Sequence, residues 1–217
     1  MSGAFTVYGS PGYGSTIVEA ALELLGLPWT SVEAGPNGTV EEQARLRALN
    51  PLKQTPVVVT PEGRTLTESG AILVWLGDLH ADRGLAPAID APERADYLRW
   101  MAYIPAQIYP MYLLKDHPDR WVRDDDAVDQ LREAAVEQIK TAWTAMEGQI
   151  RPAPFILGER MSLLDLYVTI VSRWTPRRVW FAELCPKLNA VAERIDAMPE
   201  LREFWARRFP FEDGWRG

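Results

Sequence analysis

The stretch NPLKQTPVVVTPEGRTLTESGAILVWL, residues 50–76, decides the fold of the first part of the chain. Val57–Val59 is a β-branched run that is too short for a helix and suits a buried strand. Residues 61–63, Pro-Glu-Gly, have turn chemistry because Pro fixes φ and Gly accepts a positive φ. Residues 65–67 return as the partner strand. From Ser69 onward apolar residues recur at helical spacing, so we predict a hairpin followed by a helix.

Thr55-Pro56, directly before the first of these strands, predicts a bend and a cis peptide bond. A cis bond would leave the N–H and C=O of Thr55 outside the sheet, where they can hold a peptide-like ligand. Nearby, Glu68-Ser69 opens a helix whose N-terminal N–H groups and dipole favour an anion. A carboxylate beside an anion site suits the ammonium and carboxylate groups of an amino acid. A Pro-initiated edge strand and a capped helix explain the same residues equally well.

The spacing of these residues resembles the glutathione-binding half of the cytosolic glutathione S-transferase (GST) family, of a bacterial type. The residues that carry the resemblance are Asn50-Pro51, Gln54-Thr55-Pro56, Gly63 and Glu68-Ser69-Gly70-Ala71-Ile72. The resemblance implies that the main chain of Thr55, next to Pro56, pairs with the cysteinyl backbone of glutathione. It also implies that Glu68 and Ser69 bind the γ-glutamyl end, and that Gln54 contacts the tripeptide nearby.

The order of predicted elements agrees with this resemblance. A strand, a loop, a helix and a second strand precede a polar helix, the hairpin and its helix, which is the thioredoxin-like order. Beyond a linker punctuated by Asp82, Gly84, Pro87 and Pro92, the apolar periodicity is helical throughout. The expected fold is therefore an α/β thioredoxin-like N-terminal domain plus an all-α C-terminal domain. We predict the glutathione-binding domain at residues 1–81, the linker at 82–91 and the helical domain at 92–217.

Two local features of the helical domain follow from its sequence. Pro105 and Pro110 fall inside one helical stripe of apolar residues, so we expect a kink or a break there. Ser162 and Asp165 are spaced as a capping box, in which each side chain satisfies a backbone N–H at the start of a helix. The same box occurs in the helical domain of the family, and we assign it a structural role.

Composition argues against several functions. A net charge of −7 disfavours binding to a phosphate backbone, and no apolar run approaches the roughly 20 residues of a membrane span. The start, MSGAFTVYG, lacks a secretory signal, and the lone Cys185 fits a reducing compartment, so we expect a cytoplasmic location. His80 and His117 lack metal-ligand spacing to each other or to Cys185, and we expect no metal.

The thiol of bound glutathione must be activated, and the segment 8–15 offers four hydroxyls at a helix N-terminus. They belong to Tyr8, Ser10, Tyr13 and Ser15. The cysteine of the bacterial cysteine-type enzymes falls on Gly14, so the resemblance implies that a cysteine mechanism is lost. The family classes place the activating group differently, and the alternatives stay open. A hydroxyl from Ser10, Tyr13 or Ser15 is the preferred hypothesis, while Ser15 also fits a helix cap and Tyr8 a buried strand residue.

The expected activity is conjugation of glutathione to a small hydrophobic electrophile, by a homodimer in which the small domain of one chain meets the helical domain of the other. By analogy with the family, Tyr103, Tyr109 and Tyr112 line the hydrophobic substrate site, although core packing explains an aromatic stripe as well. One alternative is a glutathione-dependent reductase of peroxides or disulfides. Another is a non-enzymatic protein that uses the GST-like fold for interactions.

Overall fold

Four strands form a mixed sheet at the start of the chain, in the order β2-β1-β3-β4. The computed structural model describes residues 3–35 and 38–210, so the outer ends of the two predicted domains lie outside it. The strands are β1 (Phe5–Gly9), β2 (Trp29–Glu33), β3 (Val57–Val59) and β4 (Thr65–Leu66). β1 pairs in parallel with β2 and antiparallel with β3, and β4 completes the hairpin. The thioredoxin-like prediction is confirmed.

Three helices accompany this sheet: α1 (Ser15–Leu25), α2 (Val40–Leu49) and α3 (Ser69–Leu79). α1 is the central one, and most of its residues are buried against the sheet and the helices beyond it. Gly26 ends α1 in the left-handed conformation, with φ 66°, which glycine adopts without a steric penalty. α2 is polar and begins with a capping box between Thr39 and Glu42.

The rest of the described chain, up to residue 210, is mainly helical, as predicted. Its α-helices are α4 (Arg94–Tyr103), α5 (Tyr109–Asp116), α6 (Asp125–Gln149), α7 (Leu163–Val171), α8 (Arg177–Leu184), α9 (Pro186–Asp196) and α10 (Arg202–Arg208). A π-helical segment, Ile104–Ile108, joins α4 to α5. Pro105 lies within this segment and Pro110 lies just after it, and neither can donate an N–H to the preceding turn, which accounts for the irregularity.

The sequence did not indicate α8. Two of its apolar residues, Val179 and Leu184, are about half exposed, so its apolar residues do not mark one buried face. The capping box at Ser162 and Asp165 is present at the start of the buried α7. Asp165 accepts from the backbone N–H groups of Ser162 and Ile156 at 2.7 and 2.8 Å. Within residues 3–35 and 38–210, no helix combines the length and apolar character that crossing a membrane requires.

Candidate active site

The turn before β3 is held by one buried side chain. Asn50 donates from Nδ2 to the carbonyl oxygen of Gln54 at 3.0 Å, and its Oδ1 accepts the N–H of Leu52 at 3.1 Å. The Thr55–Pro56 bond is cis, as predicted. Pro56 is buried, Thr55 is partly exposed and Gln54 is exposed, so the turn presents its polar groups outward.

β4 runs antiparallel to β3, with Leu66 opposite Val58, so the start of α3 lies at the same edge of the sheet as the turn before β3. Glu68 precedes the helix with φ 67°, a conformation that is uncommon for a residue other than Gly. Its carboxylate is not used as a helix cap, and the residue is exposed. The first N–H groups of a helix have no partner within it, so the start of α3 offers donors to an anion.

Ser69 contacts the helical domain directly. Its side chain is buried, and its Oγ lies 2.7 Å from the phenol oxygen of Tyr167 in α7. Burial raises the pKa of the Tyr167 phenol well above its usual range, so this phenol stays protonated at neutral pH. The pair is therefore a neutral hydrogen bond between the two domains, and the hydroxyl of Ser69 is already engaged.

The segment 8–15, called the thiol loop below, carries the four predicted hydroxyls. Tyr8 is partly buried in β1, and Tyr13 is 37% exposed. Ser15 is fully buried against Gly9, and its hydroxyl donates to the carbonyl oxygen of Ser10 at 3.3 Å. Ser10 is partly buried, as Tyr8 is, so Tyr13 is the most exposed of the four residues and Ser15 the least.

Gly14 brings the thiol loop against the turn before β3. A Cβ placed on Gly14 would lie 3.0 Å from the carbonyl oxygen of Thr55, closer than ordinary contact. The loop and the Thr55 main chain therefore meet closely. A side chain at position 14, a cysteine included, would require this carbonyl oxygen to shift by a few tenths of an ångström.

The three tyrosines predicted to line a substrate site have different surroundings. Tyr103 donates from its phenol to the carbonyl oxygen of Ala142 in α6 at 2.9 Å, and Tyr112 donates to that of Thr175 at 2.9 Å. Tyr109 lies between the rings of Tyr167 and Trp174, with centroid distances of 6.0 and 5.3 Å. Tyr109 is thus the one of the three whose ring contacts both Trp174 and Tyr167, the partner of Ser69.

Two residues of the helical domain, Trp174 and Arg208, also bond to the thiol loop. The indole Nε1 of Trp174 donates to the carbonyl oxygen of Gly12 at 2.8 Å, and the N–H of Gly12 donates to that of Arg208 at 2.9 Å. Arg208 makes a two-pronged ion pair with Glu19 of α1, at 2.7 and 2.8 Å, and contacts Glu33 at 3.1 Å. Burial raises the pKa of Glu19, although Arg208 opposes the shift.

Sequence reasoning missed Trp174, Tyr167, Arg208 and Glu19 as neighbours of the site. Nothing in the local sequence distinguishes Arg208 from the other arginines or Trp174 from the other tryptophans. Among the described residues, no three His, Cys, Asp or Glu side chains are grouped closely enough to hold a metal ion.

Comparison with known proteins identifies a matching family model and similar proteins. The family model described as glutathione S-transferase, N-terminal domain, matches residues 15–79. The chain is 32% identical over 202 residues to the uncharacterized GST-like protein YncG of Escherichia coli, covering 93% of this chain and 97% of that protein. It is 26% identical to glutathione S-transferase GST-4.5 of Xanthomonas campestris, covering 77% of this chain and 81% of that one.

Solved structures share the fold. A glutathione transferase homologue from Sulfitobacter, crystallised with bound glutathione, superposes with a TM-score of 0.82 at 23% identity. The match covers 94% of this chain and 98% of that one. The two-domain arrangement is therefore that of known glutathione-binding structures.

Proposed function

The chain belongs to the glutathione S-transferase family, of bacterial type, and from that membership we propose that it joins the thiolate of glutathione to a small hydrophobic electrophile. The observation that carries the proposal is the convergence of three segments at one edge of the small domain. These are the turn that ends at the cis Thr55–Pro56 bond, the start of α3 at Glu68, and the thiol loop, which meets Thr55 at Gly14.

In this proposal each segment holds one part of the tripeptide. The main chain of Thr55 pairs with the cysteinyl backbone beside Pro56, and Gln54 contacts the tripeptide nearby. Glu68 takes the γ-glutamyl ammonium, because its carboxylate is exposed and does not cap the helix. Ser69 contributes its main-chain N–H at the start of α3, since its hydroxyl is bonded to Tyr167.

Removing the carboxylate of Glu68 should weaken binding of glutathione by about tenfold or more, because a paired charged group is lost. Calorimetry on Glu68→Ala measures the effect. Glu62→Ala is the matched control, because Glu62 is an exposed glutamate in the turn of the same hairpin. Equal affinity in both variants would contradict the assignment of Glu68.

Thermal unfolding with glutathione tests the function itself. At about 100 times its Kd a ligand adds about 2.7 kcal/mol to the free energy of unfolding, so the wild-type protein should melt at a higher temperature. A GST-like protein that serves only for interactions would show no shift. Turnover of peroxides or disulfides without conjugation would instead favour the reductase.

Thiol activation is the chemical step that the thiol loop must perform. Lowering the pKa of a thiol from ~8.5 to ~7.5 requires a preference for the thiolate of about 1.4 kcal/mol. The start of α1 and one hydroxyl hydrogen bond supply an effect of this order. Ser10 and Tyr13 are our first candidates, because the Ser15 hydroxyl is buried and bonded to a carbonyl oxygen. Tyr8 is the remaining candidate.

Replacing each hydroxyl in turn should single out one residue. Among Ser10→Ala, Tyr13→Phe, Ser15→Ala and Tyr8→Phe, one variant should lose turnover and thiolate absorbance while it keeps affinity for glutathione. Unfolding must be measured on Ser15→Ala, because this side chain packs on Gly9. Unchanged thiol ionisation in all four would show that backbone N–H groups activate the sulfur instead.

The remaining parts of the proposal concern partners and location. We propose Tyr109 as the tyrosine nearest the electrophile, because it contacts both Trp174 and Tyr167. The hydroxyls of Tyr103 and Tyr112 are used for contacts within the helical domain. A homodimer and a cytoplasmic location remain predictions from the family resemblance and from the single cysteine.

A further inference from the structure

Gly12, at the tip of the thiol loop, is bonded to the helical domain through both of its peptide groups. Its carbonyl oxygen accepts the indole N–H of Trp174 at 2.8 Å, and its N–H donates to the carbonyl oxygen of Arg208 at 2.9 Å. Gly12 has φ 76°, which permits this turn, and the ring of Phe209 lies 3.5 Å from the position that a Cβ would occupy.

The bond from Trp174 fixes a complete peptide unit of the loop. Because a peptide is planar, holding the Gly12 carbonyl also fixes the direction of the Tyr13 N–H. That N–H donates to the carbonyl oxygen of Ser10 at 3.1 Å, and the same oxygen accepts the hydroxyl of Ser15. The one indole N–H therefore constrains the turn that carries three of the four candidate hydroxyls.

The indole of Trp174 is itself held in place. Its ring makes edge-on contacts with Tyr109 and Tyr112, with centroid distances of 5.3 and 5.2 Å. The phenol of Tyr112 bonds the carbonyl oxygen of Thr175, the next residue in the chain. Since two rings and a backbone bond surround it, the indole presents its N–H in one direction.

We propose that Trp174 is a positioning residue of the thiol loop, which orients the 12–13 peptide so that the loop hydroxyls reach the glutathione sulfur. The inference rests on the proposed function and adds to it a residue of the helical domain. Trp174 acts through the loop. Its loss should therefore change thiolate formation more than the binding of the tripeptide, which is held by the other two segments.

Trp174→Phe is the test, because it keeps an aromatic ring and removes the N–H. Trp205→Phe is the matched control: Trp205 is also buried in the helical domain, and within the described part of the chain its Nε1 has no hydrogen-bond partner. Three quantities are measured: the pKa of the thiol of bound glutathione by thiolate absorbance, turnover with an aryl halide, and hydrogen exchange of residues 9–15 without ligand.

We expect Trp174→Phe to raise the pKa of the bound thiol and to lower turnover by about two- to tenfold, the range for one hydrogen bond. Affinity for glutathione should change less than turnover does, because the other two segments hold the tripeptide, and the loop should exchange faster. Trp205→Phe should match the wild-type protein in all three. A wild-type thiol pKa and wild-type loop exchange in Trp174→Phe would overturn the inference.

A second variant separates the loss of the indole N–H from any effect of the smaller ring on folding. Site-specific replacement of Trp174 by 3-benzothienylalanine keeps the bicyclic ring and exchanges only the N–H for sulfur, so it should reproduce the effect on the loop. If the wild-type protein does not bind glutathione, the proposed function fails. Loop exchange in the absence of ligand then still decides whether Trp174 orders the loop.

Discussion

Replacing Arg208 by Met is expected to lower the free energy of unfolding by about 3–5 kcal/mol, because it leaves a buried carboxylate without its partner. The carboxylate is that of Glu19, which is fully buried and receives both prongs of the guanidinium at 2.7 and 2.8 Å. Urea unfolding at neutral pH measures the loss through the shift of the midpoint.

Arg207→Met is the control, since it removes the neighbouring charge from the same helix. The Arg207 side chain is 57% exposed and lies 3.5 Å from Glu23, so its loss should cost about 0–1 kcal/mol. If both variants lost the same amount of unfolding free energy, the ion pair between Arg208 and Glu19 would not be the cause.

The decrease in the free energy of unfolding of Arg208→Met should also depend on pH. Burial already raises the pKa of Glu19 in the folded protein, and removing Arg208 raises it further. A carboxyl group with a raised pKa in the folded state favours folding when it is protonated. The deficit of the variant should therefore shrink as the pH falls toward the ordinary pKa of a glutamate and grow as the pH rises. A deficit that stays constant with pH would contradict this mechanism.

Gly70→Ala is expected to lower the free energy of unfolding by about 1–3 kcal/mol and to weaken glutathione binding as well. A Cβ on Gly70 would lie 2.7 Å from the carbonyl oxygen of Met101 and 3.3 Å from the ring of Pro105. A backbone oxygen and a proline ring cannot move aside cheaply. The start of α3 must then shift, and with it the groups proposed to hold the γ-glutamyl end. Chemical unfolding and calorimetry measure the two effects.

Gly148→Ala is the matched control, because Gly148 is also helical and nothing lies within 4 Å of its added Cβ. In open space, alanine favours a helix over glycine by about 1 kcal/mol, so this variant should be more stable than the wild-type protein. We therefore expect Gly70→Ala to lower the free energy of unfolding and Gly148→Ala to raise it. A neutral Gly70→Ala would mean that α3 and α4 do not meet as closely as the structure shows.

The parts of the fold that were predictable from the sequence are those set by neighbouring residues. The hairpin after Pro56, the end of α1 at Gly26 and the irregular helix around Pro105 follow from local backbone chemistry. The thioredoxin-like order and the spacing of the glutathione-binding motif were equally visible, because both lie within one continuous third of the chain.

The contacts that build the site from the helical domain were not predictable. Trp174 and Gly12 are 162 positions apart, and Arg208 and Glu19 are 189 apart. Nothing in the local sequence says which indole N–H meets which carbonyl oxygen, because the answer depends on how the two domains pack. For the same reason the sequence favoured several loop hydroxyls equally, whereas the structure separates the buried Ser15 from the more accessible Ser10 and Tyr13.

The two bonds to Gly12 have a consequence for protein synthesis. The thiol loop is translated before both of its partners, and N-terminal segments generally fold first. Trp174 follows Gly12 by 162 positions, and Arg208 comes later still. A nascent or prematurely terminated chain can thus complete the sheet while the loop still lacks both anchors. The thiol loop should therefore reach its final form only after the helical domain has folded.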